Sequence, residues 1–146
     1  MGKGGSMTEL ELIKEAYLAQ NYSYTPYSNF RVGAALLGKN GKVYRGCNIE
    51  NAAYTPTNCA ERTAFFKAIS EGVKDFSAIA IVGNLEGASP EEYEYCAPCG
   101  VCRQVMAEFC NPKEFRIILA RSEEDYQVYT LEQLLPLSFT EKDLNK

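Results

Sequence analysis

The chain has 146 residues, 46% of them hydrophobic, with a formal net charge of −4 and no histidine. That length and apolar content are enough for one compact domain with a real core, and they argue against a disordered chain or a two-domain enzyme. The pI lies near 5.0 and Lys and Arg form no cluster, which argues against a polymeric nucleic acid as partner; no apolar run approaches the roughly 20 residues that span a bilayer.

Residues 1–6, MGKGGS, are Gly-rich and polar and read as an added extension, so the single domain is expected over residues 7–146. The N-terminus lacks the apolar core of a signal peptide, and the expected location is the cytoplasm. From Met7, MTELELIKEAYLAQNY places Leu10, Ile13, Tyr17 and Leu18 near a 3.6 period, with Thr8 and Glu11 spaced as a capping box, and predicts the first helix. FRVGAALLG and KVYRGCNIE flank KNGK and predict an antiparallel hairpin closed by a type I′ Asn-Gly turn. NCAERTAFFKAISEG predicts a helix ending at Gly72. FSAIAIVGN reads as a buried strand, LEGASPEEYEY as a loop, and CGVCRQVMAEFC as a helix stopped by Asn111-Pro112. EFRIILAR and YQVYT predict two more strands, and TLEQLLP a short helix. This order implies an α/β fold, a three-layer α-β-α sandwich around a mixed five-stranded sheet.

Six cysteines, three of them in CAPCGVC, in a chain with no export signal point to metal or thiol chemistry and away from a disulfide framework. Without histidine, any metal must be held by thiolate or carboxylate. Cys99 and Cys102, three apart at a helix start, share one face and can reach one ion, while Cys59 begins another helix. Three thiolates suit a tetrahedral zinc with one position open, and helix N-termini favour the thiolate form. Glu61, two residues after Cys59 in the same first turn, is placed to handle the protons of a water at that position without being a ligand. By spacing alone, a closed structural site with Cys96 as fourth ligand is as good a reading. A redox CAPC pair fits less well, because no βαβ pattern precedes it. Cys47 and Cys110 read as packed side chains, and Phe65, Phe66 and Phe109 as buried helix faces.

NIENAAYTPTNCAERTA followed by CAPCGVCRQ, in a stretch running from PYSNFRVGAAL to LLPLSF, resembles the small cytidine deaminases of the tri-cysteine zinc type. The resemblance implies one zinc per chain on Cys59, Cys99 and Cys102, and Glu61 as the proton carrier. It implies Arg62 as a hydrogen-bond donor to ligand sulfurs, which would offset the net charge of about −1 that three thiolates leave on a divalent ion. It further implies Asn48 and Glu50 on the ribose hydroxyls, Phe30 as a wall beside the pyrimidine, Ala60 at the substrate, and Ala52 and Tyr54 on the sugar side. Phe139 would reach the active site of a neighbouring subunit in a homotetramer. The implied activity is hydrolytic deamination of free cytidine and 2′-deoxycytidine to uridine and 2′-deoxyuridine, a pyrimidine-salvage reaction. The alternatives are a deaminase of another small cytosine-bearing substrate, such as an antibiotic or a nucleotide, and a non-catalytic zinc-stabilised binding domain. A carboxylate near the sugar argues against the nucleotide. Arg31, directly after Phe30, and the acidic run EGASPEEYEY depart from the family pattern, both in segments that could shape the pocket mouth.

Overall fold

The computed structural model describes residues 7–144, so the reading of residues 1–6 as an extension lies outside the described residues. Five strands, β1 (Phe30–Gly38), β2 (Val43–Cys47), β3 (Phe76–Leu85), β4 (Arg116–Ala120) and β5 (Tyr126–Thr130), form one sheet in the order β2-β1-β3-β4-β5. The β3–β4 pair is parallel and the other three pairs are antiparallel. Helices α1 (Glu9–Gln20), α2 (Ala60–Ser70) and α3 (Gly100–Phe109) supply the outer layers, with the short α4 (Leu131–Leu134) and α5 (Glu141–Leu144) at the C-terminal end.

Strand alternation assigns the layers. Ala35, Leu37, Ala80 and Ile118 meet Leu12, Ile13 and Ala16 of α1 on one face. Leu36, Ile79 and Ile117 meet Phe65 of α2 and Met106 of α3 on the other. The expected three-layer sandwich is present. The buried stripe of α1 is Leu12, Ile13, Ala16 and Ala19, whereas Leu10 and Leu18 are exposed. The small residues decide this: a Cβ on Gly33 of β1 would lie 2.1 Å from the Ala16 carbonyl, so α1 rests directly on the strand backbone. Phe66 is also 48% exposed, because its neighbour Phe65 takes the buried face and successive helix positions diverge.

Local signals hold at most element ends. Thr8 and Glu11 form the capping box of α1. Gly72 takes φ +90°, and Gly72 N and Val73 N donate to Ile69 O and Ala68 O, the paired bonds of a Schellman stop. The β1–β2 turn is not type I′, since Asn40 is not left-handed. Gly41 alone has φ +85°, with its N–H on Gly38 O, as in a hairpin closed by a glycine bulge. The acidic loop contains a 3-10 turn, Pro90–Glu92, that composition did not reveal.

One close approach positions the functional end. A Cβ on Gly46 of β2 would fall 2.3 Å from Ala60 O and 2.5 Å from Ala64 N, so the first turn of α2 lies against bare strand backbone.

Candidate metal and catalytic site

Cys59 is the N-cap of α2 and Cys99 the N-cap of α3, both with extended backbone, and neither makes a capping hydrogen bond. At these positions a serine or aspartate would turn back onto its own helix; the two thiols instead face each other. Cys59 Sγ lies 3.8 Å from Cys99 Sγ, Cys99 Sγ lies 3.4 Å from Cys102 Sγ, and all three sulfurs fall within 4.8 Å of one another. Sulfurs bound at about 2.3 Å around a tetrahedral zinc stand about 3.8 Å apart, so the donor set fits that ion. The group also holds charge in the way a metal centre requires. The Cys59 thiol is drawn down to about 5 by its hydrogen bond with Cys102, aided by Arg62 and Cys99, while the same bond and burial push Cys102 upward. A divalent ion would displace the remaining protons.

Glu61 stands in the first turn of α2 with 4% of its surface exposed. Burial pushes its carboxyl up to about 7, and the negative charge on Cys59 adds to the rise while Arg62 opposes it. Arg62 Nη2 donates to Cys59 Sγ at 3.2 Å, and that bond holds the guanidinium protonated beyond its ordinary range. Arg62 Nε is buried with no hydrogen-bond partner among the described residues. Cys96 is outside the three-sulfur group. Its thiol, pushed up to about 12 mainly by burial, packs over Gly83, where a Cβ would sit 2.9 Å from its sulfur. The closed site with Cys96 as fourth ligand is therefore not what the described residues form.

Phe30, Asn48 and Glu50 form one connected patch at the open end of β1. Asn48 Nδ2 donates to Phe30 O at 2.8 Å, and Asn48 Oδ1 accepts from Val32 N at 2.9 Å. Glu50 Oε1 accepts from Tyr27 N and Ser28 N, Oε2 accepts from the Ser28 hydroxyl, and Ser28 Oγ accepts in turn from Phe30 N. These bonds, the Ser28 hydroxyl first, hold the Glu50 carboxyl below its ordinary range. Phe30 also meets Cys96 over Gly83, which brings the patch beside the sulfur loop. Ala60 is fully buried, but Ala52 is exposed, Tyr54 is 90% exposed and Phe139 is 59% exposed, and no described contact joins these three to the sulfur group. Arg31 turns away from the patch, donating to Gln20 O and Asn21 O at the end of α1. The acidic run comes near this patch: Glu92, Glu94 and Tyr95 line a hollow of about 360 Å³ with Phe30 and Gly83.

The profile of the family described as "Cytidine and deoxycytidylate deaminase zinc-binding region" matches residues 7–118. The chain belongs to this family. A cytidine deaminase of Sporosarcina psychrophila is 50% identical over 92% of this chain and 93% of its own length. One from Halalkalibacterium halodurans is 53% identical over 92% and 96%. The crystal structure of cytidine deaminase from Burkholderia pseudomallei superposes with a TM-score of 0.80 at 46% identity, covering 91% of this chain and all of that one.

As a member of the deaminase family the chain is a hydrolase whose cofactor is zinc, and Cys59, Cys99 and Cys102 are able to hold a metal ion. Two residues that shape the Phe30–Glu50 patch escaped the sequence reading. Ser28 tethers Glu50 to Phe30, and Gly83 is the flat spot on which Phe30 and Cys96 converge. A serine in a turn-rich run and a glycine in a strand carry no mark of such contacts.

Proposed function

We propose that the protein deaminates free cytidine and 2′-deoxycytidine hydrolytically, taking up one water and yielding uridine or 2′-deoxyuridine and ammonia. The observation that carries this reading is a buried carboxylate, Glu61, in the first turn of the helix that Cys59 opens, with Cys59 one member of the three-sulfur group. Cys59, Cys99 and Cys102 hold the zinc, which when bound supplies a Lewis acid able to make a water nucleophilic near neutral pH. Glu61 accepts a proton from water as the water oxygen bonds to C4 and delivers it to ring N3; it then passes the proton of the new C4 hydroxyl to the exocyclic amine, so that the C4–N bond breaks and ammonia leaves a C4 carbonyl. Arg62 spreads the thiolate charge through its hydrogen bond to Cys59, leaving the ion a stronger acid.

Phe30 walls the pyrimidine, with Ala60 beneath it, and Asn48 and Glu50 meet the ribose hydroxyls. Glu50 Oε2 has one lone pair beyond the bond to Ser28, enough for one sugar hydroxyl. Ala52 and Tyr54 line the sugar side, and Phe139 serves the site of a neighbouring subunit in a homotetramer. The exposure of Tyr54 and Phe139 on the isolated chain supports that assignment. We place the catalytic domain at residues 7–146, with residues 1–6 as an extension, and the protein in the cytoplasm; no described helix is long and apolar enough to cross a membrane. The test is the loss of cytidine absorbance with purified protein against a panel of nucleosides, free bases and nucleotides, with zinc per chain measured in parallel. Turnover of nucleosides alone is expected. Turnover confined to another cytosine-bearing compound, or zinc binding without turnover, would overturn the reading.

A further inference from the structure

Directly after Cys102, α3 carries two polar side chains, Arg103 and Gln104, that meet other parts of the chain. Arg103 Nε donates to the carbonyl of Pro98 at 2.8 Å, and Nη1 donates to the carbonyl of Leu134 at 2.7 Å. Pro98 is buried and directly precedes Cys99. Leu134 closes α4, where the last carbonyls of a helix have no partner inside it. The neighbouring Gln104 Nε2 donates to the carbonyl of Phe139 at 2.8 Å. Between these two anchored carbonyls Leu137, its side chain fully exposed, takes φ +52°, a left-handed conformation uncommon for residues other than glycine. One guanidinium thus grips the loop of a sulfur ligand with one hand and the C-terminal segment with the other.

We propose that Arg103 is a positioning residue which, with Gln104, sets the C-terminal segment that presents Phe139 and joins that segment to the sulfur loop through Pro98. This rests on the reading of Phe139 as a substrate-contacting side chain. Because that reading sends Phe139 to a neighbour, Arg103 makes the metal loop of one subunit and the pocket of the next parts of one rigid connection. The fork of the guanidinium is what the role needs: a lysine keeps the charge but cannot direct two N–H groups at two carbonyls set apart in this way.

The experiment compares Arg103→Lys, Gln104→Leu and Phe139→Ala, and the double variant Arg103→Lys/Phe139→Ala, each zinc-loaded. The measurements are kcat, KM for cytidine and the rate of zinc release to a chelator. Arg103→Lys is expected to raise KM about three- to tenfold with kcat within about twofold, the effect of losing one net hydrogen bond in binding. The double variant should match Phe139→Ala alone, since a residue acting through Phe139 adds nothing once the ring is gone. Zinc release should quicken in Arg103→Lys and stay at the wild-type rate in Gln104→Leu. KM effects that add in the double variant, or zinc release from Arg103→Lys at the wild-type rate, would overturn the proposal. Gln104 is exposed, so Gln104→Leu tests the same KM expectation whether or not Arg103→Lys folds, and a wild-type KM there also overturns it. An unchanged KM in Phe139→Ala removes the reading of Phe139 and this proposal together. A raised KM in Phe139→Ala beside unchanged values in the other two removes the proposal alone.

Discussion

Glu61 owes its usefulness to its burial: a carboxylate on the surface would be solvated, whereas this one is 4% exposed, with the Cys59 thiol and the Arg62 guanidinium acting on its charge. Glu61→Gln keeps the shape and removes the titrating proton, so zinc content should stay at one per chain while kcat falls by about 10²–10⁴-fold. Retention of turnover within a few-fold of wild type would remove Glu61 from the mechanism. Arg62→Gln acts differently, because the hydrogen bond to Cys59 tunes the sulfur without holding the ion. Its kcat should drop by a larger factor than its zinc content, and equal losses of the two would show that Arg62 merely helps retain metal. Cys59, Glu61 and Arg62 were legible in the sequence because one helical turn fixes their relation. The tether of Glu50 by Ser28 and the two grips of Arg103 were not, because those partners meet across 22 and 31 residues of chain or around a tight loop whose path no spacing rule predicts.

The elements were legible where a local device writes the boundary, as in the Thr8–Glu11 capping box and the stop at Gly72. They were misread where contact with another layer decides. The buried stripe of α1 takes Leu12 and Ile13 with the small Ala16 and Ala19 over Gly33, leaving Leu10 and Leu18 outside, and the β1–β2 turn settles into a glycine bulge despite its Asn-Gly pair. The contact of β2 with α2 has a direct functional consequence, because the helix that carries Cys59 and Glu61 is seated on Gly46. Gly46→Ala puts a methyl group into the backbone of Ala60 and should destabilise the fold by on the order of 3 kcal/mol while lowering zinc content. An unchanged denaturation midpoint would show that α2 can back away freely. The loop ahead of Cys99 has an electrostatic anchor: Tyr95 OH and Arg121 Nε both donate to Asp125, at 2.5 Å each. The hydroxyl of Tyr95 first, then Arg121, holds the Asp125 carboxyl below its ordinary range. A depressed carboxyl contributes stability above its unfolded value of about 3.9 and loses it as pH falls through the lower folded value. The midpoint difference between wild type and Asp125→Asn should therefore be full at pH 7 and narrow only as the solution is taken below about pH 4. A difference that vanishes already near pH 6 would assign the anchor to another group.

At the scale of the molecule, the proposed sharing of sites between subunits turns on side chains that lie on the outside of the single chain. Tyr54 and Phe139, the side chains proposed to meet the substrate beside Phe30, Asn48 and Glu50, are 90% and 59% exposed. Pockets that bury most of a small ligand form readily between copies of a chain, and an aromatic ring stacked on a base contributes about 1–3 kcal/mol. Phe139→Ala should therefore raise KM by roughly tenfold or more with zinc still bound. Sequence periodicity could not reach this level, because an aromatic near a chain end looks the same whether it closes its own core or another subunit's pocket. Subunit mixing separates the two. When Glu61→Gln subunits exchange with Phe139→Ala subunits, a ring acting across the interface creates sites that combine an intact Glu61 from one parent with an intact Phe139 from the other. Activity at low cytidine should then rise above that of either parent. A ring acting within its own chain can create no such site, so the absence of a rise, with exchange verified by mass, would return Phe139 to the subunit that carries it.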